Sequence, residues 1–220
     1  MGALRRGYVT ARRWLSGLLF ERRHHLQTEA EIQLGELGLA GEERVRYKAA
    51  GWLTLRRILP VREVGDEDVF VDYGSGMGRV VYQAAAQYPF KRVIGVELSE
   101  ELNAIARENI DRNRPRLRCQ AVELLTSDAL GFEVPPDVSI AFFFNPFTGE
   151  LFASVIDRLL ASYDRHPRRL RIIYRNPLEH ERLIATGRVR PVRRVRGWRP
   201  GREWSRSNST RMYEVTPAPR

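Results

Sequence analysis

Length, composition and charge limit the classes of protein to which the chain can belong. With 220 residues, 43% of them hydrophobic, the chain can bury one core, which excludes a disordered protein and leaves too little length for two full domains. The net charge of +10 is compatible with a nucleic-acid partner. Because Lys48 and Lys91 are the only lysines, an arginine-rich composition explains this charge without such a partner, so nucleic acid is possible but not favoured.

Cysteine content and hydropathy bear on the compartment. A single cysteine, Cys119, excludes an internal disulfide and a cysteine cluster for zinc, which fits a reducing compartment. The apolar stretch around Leu18 is too short to span a bilayer. We therefore expect a cytoplasmic protein without a membrane span.

Residues 1–64 are predicted to form an N-terminal helical extension or lid. Residues 1–26 are basic with one apolar stripe, and residues 29–37 have helical periodicity. A further helix is predicted from Glu42 through Tyr47 to Pro60, where the proline ends it.

Residues 65–220 are predicted to form the main domain, because short β-branched runs there alternate with helical stretches. The predicted strands are 69–72, 92–97, one within 118–125, 137–144, 170–174, 189–195 and 210–215. The predicted helices are 78–88, 99–113, 150–163 and a short one ending near 186. The fourth strand is too apolar to be half exposed, so we expect a mostly parallel α/β sheet of seven strands with helices on both faces.

A glycine-rich turn follows the first strand of this sheet. It consists of Gly74, Ser75, Gly76 and Gly78. Glycine lets a backbone turn sharply and approach a ligand closely, and amides at the following helix start face a polar group. Asp72 ends the first strand and Glu97 ends the second, where an acid can accept both hydroxyls of a ribose. The sequence therefore predicts a nucleoside site at this edge of the sheet.

The spacing G-x-G-x-G resembles the class I S-adenosylmethionine-dependent methyltransferases rather than the dehydrogenases. Ser127-Asp128-Ala129 after the third strand and Asn145-Pro146-Phe147 after the fourth extend the resemblance over roughly residues 66–215. It implies a Rossmann-like fold, S-adenosyl-L-methionine as cofactor and S-adenosyl-L-homocysteine as second product.

The resemblance also implies a role for each acidic residue. Asp72 would hold the amino-acid end of the cofactor, Glu97 the ribose and Asp128 the adenine. The other expected cofactor contacts are Gly74, Ser75, Gly76, Gly78, Leu98, Ala129, Asn145 and Tyr47. Structural alternatives remain open: Asp72 bracing the turn, Glu97 pairing with Arg92 at the surface, and Asp128 capping a short turn.

Asn145, Pro146 and Phe147 are the predicted catalytic residues. They resemble the Asn/Asp-Pro-Pro-aromatic signature of methyltransferases that act on amino groups, although the second proline is missing. In those enzymes a side-chain oxygen and a backbone carbonyl accept hydrogens from the nitrogen, and the aromatic ring packs over the developing charge. The alternative is an ordinary Asn-Pro turn at a strand end.

Residues 70–83 also resemble histone-lysine methyltransferases of the seven-strand type. Some of these carry a Tyr-x-Pro-Ser/Thr stretch that touches the cofactor, and Tyr47 is the candidate here, without the proline and the hydroxyl. The residues predicted to line an acceptor pocket are Trp52, Phe147, Trp198 and Trp204.

The predicted function is transfer of the cofactor's methyl group to an amino nitrogen of a small molecule, peptide or protein lysine. Such a transfer depends mainly on alignment and desolvation, so no metal is expected. The alternatives are an RNA methyltransferase, an O-methyltransferase of a small molecule, a nicotinamide-dependent oxidoreductase and a non-catalytic nucleotide-binding protein. The sequence does not indicate an oligomeric state.

Overall fold

The computed structural model describes residues 21, 24–28, 49–196 and 209–218 in full, and the backbone alone of residues 31–32 and 47–48. Two short strands, β1 (Glu31–Ile32) and β2 (Tyr47–Lys48), pair antiparallel with each other. The strands of the main sheet are β3 (Val69–Tyr73), β4 (Arg92–Glu97), β5 (Val122–Thr126), β6 (Val138–Phe143), β7 (Arg171–Arg175), β8 (Val189–Arg196) and β9 (Ser209–Val215).

The seven strands form one sheet in the order β5-β4-β3-β6-β7-β9-β8. The pairs among β3 to β7 are parallel, whereas β9 runs antiparallel to both β7 and β8. The strand order reverses between β3 and β6, which is the position where open α/β sheets bind ligands. The predicted Rossmann-like, mostly parallel seven-stranded sheet is confirmed.

Helices cover both faces of the sheet. They are α1 (Thr54–Ile58), α2 (Arg79–Gln87), α3 (Glu100–Asn113), α4 (Gly149–Arg165) and α5 (His180–Ala185). Ser99 caps α3 through a hydrogen bond from the Leu102 amide, 3.2 Å long, as its place before the helix predicts. No helix in the described part of the chain is long and apolar enough to cross a membrane.

The core consists of two apolar clusters, one on each face of the sheet. Successive residues of β3 alternate between them, with Phe70 in the cluster that contains α1 and α2 and Val71 in the cluster that contains α4. Alternation with period two is what a strand buried on both faces requires. Asp72 is on the same face as Phe70, and at the end of the strand it reaches the edge where a ligand can approach.

The N-terminal helices are predicted incorrectly where the structure describes them. Ile32 and Tyr47 are strand partners rather than helical residues, and the helix near Pro60 spans only Thr54–Ile58. Gly51 precedes that helix, and glycine disfavours helix propagation. Residues 1–20 and 33–46 lie outside the described residues, so the helical extension or lid predicted there stays a prediction.

Candidate active site

A cleft opens beyond the carboxyl ends of β3, β4 and β6, beside the reversal of strand order. Most of the residues that the sequence predicts for the site line it. They are Asp72, Gly74, Ser75, Glu97, Leu98, Asp128, Ala129, Asn145, Pro146 and Phe147. Residues from four strand ends thus meet in one place, as parallel strands require.

The glycine turn is held against two neighbouring elements. Gly74 has φ +72°, and a Cβ there would lie 2.5 Å from the Pro146 Cβ, so the absence of a side chain lets the ends of β3 and β6 meet. Gly78, with φ +77°, directly precedes α2, and a Cβ there would lie 2.9 Å from the Ala106 Cβ on α3. Gly78 is therefore required for helix packing and does not line the cleft.

Glu97 has its carboxylate fixed by backbone amides. The Gly76 amide donates to Oε2 at 2.7 Å and the Ser99 amide donates to Oε1 at 3.0 Å. Burial raises the pKa of Glu97, and these backbone hydrogen bonds oppose that rise. Arg92 pairs instead with Glu123 and Asp137, so the surface pairing considered for Glu97 is wrong. Each carboxylate oxygen keeps a second lone pair for a ligand hydroxyl.

Asp72 is a buried carboxylate at the floor of the cleft, 3% exposed. Burial, and then the negative charge of Glu97, raise the pKa of Asp72 well above its usual range. Among the described residues none donates a hydrogen bond to it, so the alternative that Asp72 only braces the turn has no contact to support it. A cationic ligand group at this position would favour the ionised form.

Two further polar atoms in the cleft are buried without a partner among the described residues. They are Ser75 Oγ and Asn145 Oδ1, on residues that are each 5% exposed. Asn145 also has a positive φ of +46°, a conformation that asparagine tolerates better than most residues. Buried polar groups without partners are uncommon, and in a cleft they indicate sites for a polar ligand.

Asp128 lines the cleft and also caps its own loop. Its Oδ1 accepts a hydrogen bond from the Leu130 amide at 3.0 Å, which is the capping contact considered as an alternative. The side chain is half-buried. The cap therefore fixes the loop in which Asp128 and Ala129 face the cleft.

Sequence reasoning missed Arg79, a buried cation that also lines the cleft. Its guanidinium donates to Glu21 Oε1 at 2.7 Å, to Thr28 Oγ1 at 2.7 Å and to the Ala50 carbonyl at 3.0 Å. Thr28 Oγ1 in turn donates to Glu21 Oε1 at 2.6 Å. Arg79 thereby attaches Glu21 and Thr28 to the start of α2, directly after the glycine turn.

The aromatic residues predicted for the acceptor pocket have different positions. Phe147 lines the cleft and packs edge-on against Phe143, with 6.2 Å between ring centroids. Trp52 does not line the cleft, so the structure does not support the substrate contact predicted for it. Its ring lies 5.0 Å from the Arg79 guanidinium and packs edge-on against Tyr82. Trp198, Trp204 and the side chain of Tyr47 lie outside the described residues.

Comparisons with known proteins agree with this geometry. Residues 52–128 match the family model described as histone methylation protein DOT1. A protein-lysine N-methyltransferase of Saccharolobus islandicus is 36% identical over 59 residues, which are 27% of this chain and 37% of that protein. A Drosophila melanogaster histone-lysine N-methyltransferase specific for H3 lysine 79 is 37% identical over 54 residues, which are 24% of this chain and 3% of that protein. The chain thus spans well under half the length of these curated relatives.

A solved structure extends the likeness to the whole fold. An RNA methyltransferase from Salinibacter ruber, in complex with S-adenosyl-L-homocysteine, superposes with a TM-score of 0.53 over 79% of this chain and 97% of that chain, at 18% identity. At this identity the likeness concerns the fold alone. The family match and the curated relatives agree with the predicted resemblance to S-adenosylmethionine-dependent methyltransferases, and the solved structure confirms the fold that this resemblance implies.

Proposed function

We propose that the chain is a class I S-adenosylmethionine-dependent methyltransferase that transfers the methyl group to an amino nitrogen, and that the acceptor is a lysine side chain of a peptide or protein. The observation that carries the proposal is Asn145, whose buried side-chain oxygen lines the cleft without a partner among the described residues. A hydrogen-bond acceptor in that state fits a nucleophile that carries N–H groups.

One half of the cleft fits S-adenosylmethionine, and we call it the donor half because it would hold the methyl donor. It contains Asp72, Ser75, Glu97 and Asp128. Asp72 is suited to the cationic amino-acid end, Glu97 to the ribose hydroxyls and Asp128 to the adenine amino group, while Ser75 Oγ offers a further polar contact. The cofactor supplies, when bound, a methyl group on a positively charged sulfur. The low polarity of the surrounding core excludes water from the methyl group, which strengthens every electrostatic interaction in the cleft.

The other half, which we call the acceptor half because it would hold the methyl acceptor, contains Asn145 and Phe147 and positions the nucleophile. Asn145 Oδ1 accepts a hydrogen from the amine, which directs the nitrogen lone pair toward the methyl carbon. The side-chain amide of Asn145 is not basic, so it cannot remove a proton and the amine must be neutral when it attacks. After methyl transfer, the methylated nitrogen releases its extra proton to solvent. Phe147 borders the same space and can stabilise the ammonium product through its ring.

The relatives favour lysine among the amine acceptors. The family model and both curated relatives are named for histone or protein-lysine methylation, and the matched regions include the glycine turn and Glu97 in the family-model match. The net charge of +10 suits an acidic partner of any kind and does not distinguish a protein from RNA.

The test is methyl transfer from labelled S-adenosylmethionine to polylysine, with transfer RNA as the parallel acceptor. We expect label on polylysine and, after hydrolysis, in N-methyl-lysine. Label on transfer RNA alone would contradict the lysine assignment. Absence of label on both polymers would contradict methyl transfer to either of them.

Asn145→Gly tests the role of the amide, because glycine accepts the positive φ without strain. We expect the kcat to fall about 10²–10³-fold, as for loss of one oriented hydrogen-bonding group, with little change in the affinity for S-adenosyl-L-homocysteine. Asn145→Asp keeps an acceptor oxygen and should retain more activity. Equal losses of turnover and cofactor affinity in Asn145→Gly would show that Asn145 supports the structure of the cleft and does not orient the amine.

A further inference from the structure

We propose that an arginine-rich surface beside the cleft binds acidic residues that flank the acceptor lysine, so that the preferred acceptor is a lysine within an acidic stretch of a protein. The inference rests on the proposed function and describes the surroundings of the lysine that is methylated. The surface consists of Arg57, Arg175, Arg194 and Arg196, and we call it the arginine rim.

The arginine rim lies at the same edge of the sheet as the cleft. β7 and β8 both run antiparallel to β9, so β8 ends at the edge where the parallel strands end. Thr210 of β9 pairs with Arg175 of β7 on one side and with Val195 of β8 on the other. Arg57 of α1 reaches the same end of β8, where its Nη2 donates to the Arg196 carbonyl at 3.0 Å. Arginines from α1, β7 and β8 thus gather at the carboxyl edge.

Arg175 connects the rim to the acceptor half of the cleft. Its guanidinium carbon lies 5.9 Å from the centroid of the Phe144 ring, and Phe144, which directly precedes Asn145, lines the cleft. From the end of β6, three strand spacings of roughly 4.8 Å lead across β7 and β9 to β8, a distance of about 14 Å. An extended peptide covers this distance in about four residues, since each residue spans roughly 3.3 Å. Side chains about four positions from the acceptor lysine therefore reach the rim.

Two cations farther from this end of β8 are neutralised, whereas those of the rim are not. Arg190 pairs with Glu214, and Arg193 pairs with Glu63. In the part of the chain that the structure describes, no carboxylate forms an ion pair with the three exposed arginines of the rim, which are Arg57, Arg194 and Arg196. An arginine-rich composition explains how many such residues the chain has, but it does not explain why unpaired ones gather beside the cleft.

The face of the sheet that carries α5 shows the same positive balance. Burial lowers the pKa of His180, at the start of α5, and the charges of Arg211 and Arg194 lower it further, whereas Glu181 opposes them. Two arginines therefore act on this histidine against one glutamate. The rim keeps its positive charge on this face as well.

Carboxylates of an acidic peptide complement the rim. Guanidinium groups donate paired hydrogen bonds to carboxylates, and each exposed pair contributes a small free energy that salt weakens. Phosphates match the same groups, so charge alone does not select between an acidic protein and RNA. The lysine acceptor of the proposed function favours the protein, because the rim adjoins the half of the cleft that would hold the lysine.

Two peptides with a single central lysine test the rim. One has glutamates four to six positions from the lysine on both sides, and the other has glutamines there. We expect a KM about tenfold lower for the glutamate peptide at low salt, a similar kcat, and an advantage that shrinks as salt is added. Equal KM values would overturn the inference and leave the proposed function intact. Absence of methylation of both peptides, by protein that binds S-adenosyl-L-homocysteine, would instead overturn the lysine acceptor on which the inference rests.

Arg194→Gln combined with Arg196→Gln removes two charges and keeps the Arg196 carbonyl that Arg57 contacts. We expect the KM for the glutamate peptide to rise about three- to tenfold, with the KM for the glutamine peptide and the affinity for S-adenosyl-L-homocysteine within about twofold. Arg165→Gln is the matched control, because Arg165 is exposed and ends α4, which returns from β6 to the opposite edge of the sheet. An unchanged preference in the double variant, or an equal loss in the control, would contradict the inference.

Competition distinguishes an acidic protein from a nucleic acid at the rim. Polyglutamate should inhibit methylation of the glutamate peptide, and transfer RNA at the same concentration of negative charge should inhibit no better. Stronger inhibition by transfer RNA would assign the rim to nucleic acid and overturn the inference. Polylysine, which has no acidic residues, should accept methyl groups less efficiently per lysine than the glutamate peptide, and the reverse order would also overturn it.

Discussion

The two halves of the cleft satisfy their polar groups in opposite ways. In the donor half, at the ends of β3 and β4, the Glu97 carboxylate accepts from two backbone amides, and the turn itself is tied to β4 through the Val96 carbonyl, which accepts from the Gly74 amide at 2.8 Å. In the acceptor half, at the end of β6, Asn145 keeps a buried oxygen without a partner among the described residues. The backbone thus prepares the donor site in advance, while the acceptor site gains its contacts only with a ligand.

Gly74→Ala should have the largest effect on this comparison, because Gly74 is where the two halves touch. The new Cβ would meet Pro146 at 2.5 Å and would also impose a positive φ of +72° on alanine. We expect a loss of about 2–5 kcal/mol in the free energy of unfolding, from overpacking and backbone strain. Affinity for S-adenosyl-L-homocysteine, measured by calorimetry, should fall more than about 100-fold, which is the few kcal/mol that the distorted turn no longer supplies.

Gly187→Ala separates strain from collision. Gly187 has a similar φ of +65°, with no atom within 4 Å of a new Cβ. This variant should lose only about 1–2 kcal/mol of stability and should bind the ligand normally. Equal loss of ligand binding in the two variants would show that contact between the halves is unimportant.

Glu97→Gln should have the next largest effect, confined to the donor half. A glutamine turns one oxygen into an NH₂ group, which then faces a backbone amide donor instead of accepting from it. We expect affinity for S-adenosyl-L-homocysteine to fall about 10- to 100-fold, the range for losing hydrogen bonds to a charged group. Glu101→Gln, at an exposed position of α3, is the control and should bind normally; a comparable loss there would remove the special role of Glu97.

Asp72→Asn should weaken ligand binding about tenfold and at the same time stabilise the protein without ligand. Because the folded pKa of Asp72 is raised, its contribution to stability is present below the ordinary aspartate pKa and is lost as the pH rises through the raised value. The variant should therefore gain roughly 0.5–2 kcal/mol over the parent at pH 8 and little near pH 4, by denaturant unfolding. A variant less stable than the parent at pH 8 would contradict a ligand-dependent role for this carboxylate.

Thr28→Val should have the smallest effect, because it acts on the donor half only through Arg79. It removes the hydroxyl that accepts a hydrogen bond from Arg79 and donates one to Glu21, while keeping the shape of the side chain. The direct contact between Arg79 and Glu21 remains. We expect about 1–3 kcal/mol less stability and a two- to fivefold loss of ligand affinity, roughly, since one buried donor is left without its acceptor. Thr216→Val, at a half-buried position directly after β9, is the matched control. An equal change there would show that Glu21 and Thr28 do not support the cleft.

The sequence predicts the central sheet and the donor half well because their signals are local. The run 69–72, the glycine turn and the acid at 97 each indicate their own role, and the structure brings them to one cleft. Tyr47 is misassigned to a helix because its strand partner, Ile32, is distant in sequence. Arg79 is missed for the same reason, since its partners Glu21 and Thr28 belong to another segment.

The acceptor half is predictable only in part. Asn145 is recognisable from the motif that contains it, whereas the close approach of Gly74 to Pro146 is visible only once β3 and β6 are known to pair. Trp52 is predicted to line the acceptor pocket because it is aromatic, yet its ring packs against Arg79 instead. Pairing across the sheet, rather than motif, determines which residues share the cleft.

Calorimetric titration of the unliganded wild-type protein with S-adenosyl-L-homocysteine tests the central claim most directly. We expect saturable binding of one ligand per chain, competed by S-adenosylmethionine, with no heat of binding from a nicotinamide dinucleotide. Absence of binding at high micromolar concentrations, or saturable binding of the dinucleotide in its place, would contradict a cleft built for a sulfonium nucleoside.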